Sequence, residues 1–298
     1  VNVARAARAR AALLSMAALT TMLCSAVTAC SSRPATPRRI SYVALGDSYT
    51  AGPLIPSATG RPAGCLRSTH NYPHLVASAL HVSSFTDASC QGATTASIAT
   101  PESLSPLPGT APPQLTALAR STTLVTLQIG GNDFEGIAVR CMTLSFTDPD
   151  GHPCESYYTR AGTDRLARAI AQTAPKVAAV LRLIHKAAPH ARVLLLGYPV
   201  ILPATGSGCW PYPLPVASGD VPYLRGVELK LNAMLKAQAA ANGATYVDTY
   251  TDSIGHDACQ PPGRAWVEPL IPTAPAGPLH PDAAGERAMA KQVLAALR

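Results

Sequence analysis

The 298 residues contain no His-Glu-x-x-His pair, no Gly-x-Ser-x-Gly elbow and no phosphate-binding loop. Those absences argue against a zinc protease, a conventional α/β-hydrolase and a nucleotide-using enzyme. None of the eight cysteines forms a Cys-x-x-Cys pair, so the usual spacing of a zinc site is missing. His70 and His74 are four apart, but Pro73 between them spoils a helical metal pair; His185 and His190 read as surface cations at a helix C-terminus. Neither a metal nor another cofactor is expected. A basic patch with interleaved aromatics is also lacking. The formal charge of +7 falls to +4 without the three arginines of residues 1–29, and to +1 without Arg33, Arg38 and Arg39. Nucleic acid is therefore not an expected partner. No internal repeat is visible.

What the N-terminal stretch does contain is a secretory pattern. Arg5, Arg8 and Arg10 precede an apolar segment that starts at Ala11 and ends in Val27-Thr28-Ala29-Cys30. Small residues before a cysteine resemble a lipoprotein processing site, with Cys30 carrying the lipid. An uncleaved anchor is the competing reading, because residues 11–29 are long enough to just span a bilayer. Thr20, Thr21, Ser25 and Thr28 weaken such a helix, so cleavage is favoured. The expected organisation is a signal at 1–29, a polar, proline-containing tether at 30–39 and one folded domain at 40–298. The domain should then lie outside the cytoplasm. With Cys24 removed and Cys30 lipidated, an even six cysteines remain, which allow fifteen pairings.

Three stretches carry the chemistry. Residues 40–45 form a short apolar run ending in Gly46-Asp47-Ser48-Tyr49, where a buried strand would give way to a helix. A serine at such a junction lies beside backbone N–H groups with no partner inside the helix, donors able to hold the oxyanion of an attacked ester. Ser48 as a mere N-cap is the bland alternative. A second apolar strand leads into Gly130-Gly131-Asn132-Asp133, and Leu279-His280-Pro281-Asp282 stands just ahead of a C-terminal helical pattern. Nucleophile, side-chain amide donor and imidazole are the set that acyl transfer requires.

In this order the blocks resemble the SGNH (GDSL-type) hydrolase family, in its secreted bacterial lipase and esterase branch, from about Ile40 to Arg298. The resemblance makes Ser48 the nucleophile and His280 the general base. It gives the oxyanion hole to the N–H of Ser48, the N–H of Gly92 (in Gln91-Gly92-Ala93) and the side chain of Asn132. It also implies the disulfides Cys65–Cys90, Cys141–Cys154 and Cys209–Cys259. The family usually has an aspartate three residues before the histidine; here that residue is Gly277. A Ser48–His280 dyad is expected, with the backbone carbonyl of Gly277 orienting the ring. Asp257 and Glu268 remain possible carboxylate partners, while Asp282 reads as a helix N-cap.

Strand-like runs at 41–45, 84–88, 124–129, 192–196 and 245–247 alternate with helical patterns at 72–80, 164–188, 221–242 and 282–297. This predicts a three-layer α/β/α fold with a central, mainly parallel five-stranded sheet and the site at its C-terminal edge. Pro175 predicts a kink or break in the long helix. Stretches 52–71, 101–113, 141–158 and 199–222 read as loops around the catalytic edge, and Trp210 or Tyr212 as a wall for an acyl group. The function these readings support is a lipid-anchored esterase or lipase, a monomer acting on small ester or lipid substrates. A carbohydrate or cell-wall deacetylase is the alternative. A binding lipoprotein with a decayed site is the third reading, supported only by Gly277.

Overall fold

The computed structural model describes residues 39–298, apart from Ser105 and Glu135. The expected signal at 1–29, Cys30 and the part of the expected tether before Arg39 lie outside the described residues.

Five parallel strands make the central sheet: β1 (Ser41–Gly46), β2 (Ser84–Asp87), β3 (Leu124–Gln128), β4 (Arg192–Leu196) and β5 (Thr245–Val247). Their spatial order is β2-β1-β3-β4-β5. In β1, Val43 and Leu45 face one apolar cluster while Tyr42 and Ala44 face the other; in β4, Val193 and Leu195 alternate in the same way with Leu194 and Leu196. A strand with both faces covered must be apolar throughout, which is why these runs show no polar alternation.

The α-helices of the described domain are α1 (Ser48–Ala51), α2 (Tyr72–Ala79), α3 (Ile137–Ser145), α4 (Pro153–Thr159), α5 (Arg165–Ala187), α6 (Asp220–Ala241) and α7 (Ala283–Ala296). Leu166, Ile170, Val177 and Leu181 of α5 and Val227, Leu231 and Leu235 of α6 cover the first face. Tyr72 and Val76 of α2 and Met289 and Val293 of α7 cover the second. The result is the expected α/β/α layering. The chain passes from β1 outward to β2 and then returns to β3 on the other side of β1. That reversal opens a crevice at the C-terminal end of β1, the place where open α/β sheets bind ligands.

Two expectations need correction. Of the kink or break expected at Pro175, the break does not occur: helix α5 is continuous across it. Pro175 is exposed, so water can satisfy the carbonyl left without its N–H partner. The stretch 141–158 is largely helical rather than loop, since most of α4 and the end of α3 lie in it. The Cys141–Cys154 disulfide links these two helices, and Cys65–Cys90 and Cys209–Cys259 pair as expected.

Candidate active site

Gly46 makes the first turn possible. Its φ is +152°, and a Cβ there would fall 2.2 Å from the Thr50 hydroxyl and 2.7 Å from the Gln128 carbonyl. No larger residue fits between β1 and α1. Asp47 then caps the single turn of α1 by accepting the Tyr49 N–H at 3.0 Å. Ser48, the first residue of that turn, projects its hydroxyl to within 2.7 Å of His280 Nε2. Two residues separated by 232 positions thus form the hydrogen-bonded pair that proton transfer needs.

The histidine is held by a tight turn. The His280 N–H donates to the Gly277 carbonyl at 3.1 Å, with Pro278 second and Leu279, at φ +61°, third. Proline at the second position and a left-handed third residue mark a type II turn. In this turn the Gly277 carbonyl is engaged by the backbone, and the Pro278 carbonyl meets His280 Nδ1 at 2.7 Å. The ring-orienting carbonyl is therefore that of Pro278, a correction to the expectation for Gly277. Nδ1–H donating to Pro278 leaves Nε2 free to accept from Ser48. No carboxylate replaces the missing aspartate among the described residues. Asp257 accepts from the Cys259 N–H and Gln260, Glu268 from Thr273 and Ala274, and Asp282 caps α7 as expected. Burial pushes the His280 pKa down from its usual range, more than the Pro278 carbonyl raises it. The ring is therefore neutral at pH 7, the form a general base requires.

Gly92 and Asn132 follow β2 and β3, so both reach the same edge of the sheet as Ser48. Gly92 has φ +77°, a conformation that favours glycine. Among the described residues, the N–H groups of Ser48 and Gly92 meet no acceptor. The Asn132 side-chain amide donates one hydrogen to the Ala93 carbonyl at 3.1 Å, leaving the other available. Asp133 fastens the two loops together by accepting the Thr95 N–H at 3.0 Å and the Thr95 hydroxyl at 2.6 Å.

Tyr198, just beyond β4, is a site residue that sequence reasoning missed. Its hydroxyl accepts the Gly131 N–H at 2.9 Å and donates to Asp47 at 2.5 Å, bridging the loops that carry Asn132 and Ser48. Burial raises the Asp47 pKa to about 7, against the lowering effect of the Tyr198 hydroxyl and the Tyr49 N–H. The Tyr49 hydroxyl donates to the Leu279 carbonyl at 2.6 Å and so ties α1 to the histidine turn. An aromatic directly after the Gly197 that ends a strand run was the available signal.

From Ser48 and His280 a cavity of about 370 Å³ extends between α3, α6 and the chain after β4. Ile137, Met142, Ile201, Leu214, Leu224 and Val227 are among its mostly apolar lining residues. Trp210 and Tyr212 are not part of that lining. Trp210 packs edge-on against Phe146, and Tyr212 is exposed.

If the Asn132 amide holds the oxyanion, Asn132→Ala should lower kcat for ester hydrolysis by about 100- to 1000-fold. Asn132→Asp should do at least as much harm, because a carboxylate repels the developing charge. Steady-state rates on a p-nitrophenyl ester check this, and full turnover in either variant would remove Asn132 from the site.

Comparison with known proteins gives the family and the fold. Residues 44–288 match the model of the GDSL-like Lipase/Acylhydrolase family. The chain is 42% identical over 259 residues to Lipase 2 of Streptomyces coelicolor, covering 86% of this chain and 85% of that one. Among solved structures it is similar to phospholipase A1 from Streptomyces albidoflavus, with a TM-score of 0.68 and 29% identity over 87% of this chain and 98% of that one. It is also similar to an extracellular lipase from Streptomyces rimosus, with a TM-score of 0.67 and 26% identity over 86% of this chain and 99% of that one.

Proposed function

The chain belongs to the GDSL-like lipase/acylhydrolase family, and on that premise we propose that it cleaves fatty-acyl esters outside the cytoplasm through an acyl-enzyme on Ser48. It is an ester-hydrolysing serine hydrolase of the SGNH type. The observation that carries the finer reading is the 2.7 Å contact between Ser48 Oγ and His280 Nε2 at one end of the apolar cavity.

In the first half-reaction His280 Nε2 takes the Ser48 proton as Oγ bonds to the ester carbonyl carbon. The carbonyl oxygen becomes negative and is held by the N–H groups of Ser48 and Gly92 and by the Asn132 amide. The carbon–alkoxy bond then breaks, and the leaving alcohol takes the proton from His280. Water repeats the sequence on the acyl-enzyme and releases the acid and free Ser48. The Pro278 carbonyl orients the ring throughout. Being neutral, it stabilises the imidazolium less than a carboxylate would.

An export signal ending at Ala29 and a lipid on Cys30 would hold the enzyme at a membrane surface, where lipid esters are concentrated. Three disulfides in the described domain support an oxidising compartment. Among the described residues no helix is long and apolar enough to cross a membrane. The size and apolar lining of the cavity favour an acyl chain longer than acetyl over the deacetylase alternative. Rates on p-nitrophenyl esters of rising chain length test this: kcat/KM should climb well beyond acetate before it falls. A maximum at acetate would reverse the choice.

A further inference from the structure

One wall of the acyl cavity is polar where the pattern calls for a hydrocarbon. Leu224, Val227, Glu228 and Leu231 of α6 all line the cavity, at the i, i+3, i+4, i+7 spacing of a helix face turned to apolar surroundings. Glu228 is the ionisable member of that stripe. Among the described residues its hydrogen-bond partner is the Ile201 N–H, 3.1 Å from one carboxyl oxygen and 3.4 Å from the other. No salt bridge reaches it among the described residues. Its titratable neighbours are Asp257, Tyr49 and Tyr250, none of them a cation, and Arg225 donates instead to the Pro203 carbonyl. Burial, with Asp257 adding to it, accordingly pushes the Glu228 carboxyl well above the usual carboxylate range.

An apolar wall with no cation beside it favours the uncharged carboxyl, and an uncharged carboxyl is a hydrogen-bond donor that a plain alkyl chain leaves unused. An unmade hydrogen bond in such a place is costly, and a site built around one rejects the analogue that lacks the matching group. We propose that Glu228 is a specificity-determining residue, and that the acyl groups this cavity selects carry an oxygen acceptor, a ketone or hydroxyl, part-way along the chain. The proposal rests on the cavity being the acyl site of the reaction described above. Glu228 has no part in the proton transfers and acts only on which acyl group is held.

The test compares p-nitrophenyl esters of a straight alkanoate with those of same-length oxoalkanoates, the ketone placed at successive carbons. The wild-type chain should prefer one oxo position by about tenfold in kcat/KM. Glu228→Gln, which still presents an N–H, should keep that preference. Glu228→Leu should lose it, the oxo-to-plain ratio falling to about one. The ratio within one variant cancels any general loss of activity. A flat profile across oxo positions in the wild type, or an unchanged ratio in Glu228→Leu, overturns the proposal. In the Ser48→Ala background the same ratios are read as binding of the ethyl esters by calorimetry. Cleavage persisting in Ser48→Ala would remove the serine mechanism, and the kcat/KM ratio in Glu228→Leu against the wild type would then still decide for or against Glu228.

Discussion

Ser48→Ala should lower kcat/KM for ester hydrolysis by about 10⁴- to 10⁶-fold, the range seen when a serine nucleophile is removed and the rest of its site is left intact. The substitution removes one hydroxyl oxygen from a buried residue whose backbone is fixed by Gly46, the Asp47 cap and the Gly52-to-Ser48 bond. Folding should be nearly undisturbed, so thermal unfolding will separate loss of chemistry from loss of structure. Labelling by a fluorophosphonate should vanish with activity. Wild-type turnover in Ser48→Ala would mean that a nucleophile elsewhere, or directly activated water, does the work.

His280→Ala should cost a comparable factor, and the Ser48→Ala/His280→Ala double variant should be little worse than either single one. Residues that act as one unit are non-additive, because the hydroxyl is a weak nucleophile without its base and the base has no task without the hydroxyl. Losses that multiplied in the double variant would mean that the two groups act independently. The same residue sets the acid limb of the pH profile. Only neutral His280 accepts the proton, so kcat/KM should rise with pH through the folded-state pKa. Burial lowers that pKa from 6.5, so the midpoint of the limb should lie below 6.5. A midpoint at about 7 would point instead to Asp47, whose carboxyl titrates there and is linked through Tyr198 to the Gly131 N–H. Asp47→Asn, by removing that titration, distinguishes the two.

Local patterns made much of this molecule legible. The runs of β1, β3 and β4 are mostly apolar on both faces and lead into Gly46, Gly130 and Gly197, so the centre of the sheet and the layered fold could be read directly. Gly46 could be identified because a sharp strand-to-helix turn needs a residue without a side chain. Helices α3 and α4 could not be read in the same way. Residues 137–146 are apolar on nearly every side of a helix, and Pro149, Asp150 and Gly151 between the two segments resemble a long loop. Their helicity is supported by the packing of α3 over the cavity and of α4 against α3, α5 and α6, a tertiary effect.

Ser48, Asn132 and His280 are candidates on the residues alone, since each sits at the edge of an element with the chemistry it would need, and Gly92 was added by the family resemblance. Which atom orients the imidazole was decided by the fold. A Cβ on Gly277 would lie 3.2 Å from both His280 Nδ1 and Pro53, so position 277 adjoins the ring nitrogen. With glycine in that place, the left-handed Leu279 turns the Pro278 carbonyl onto the ring instead. The Tyr198 bridge and the cavity face of Glu228 likewise depend on contacts between segments 151 and 27 residues apart. Sequence specifies what each residue can do and where the chain turns. Which groups meet is set by how the sheet twists and the helices pack, and that is a property of the whole chain.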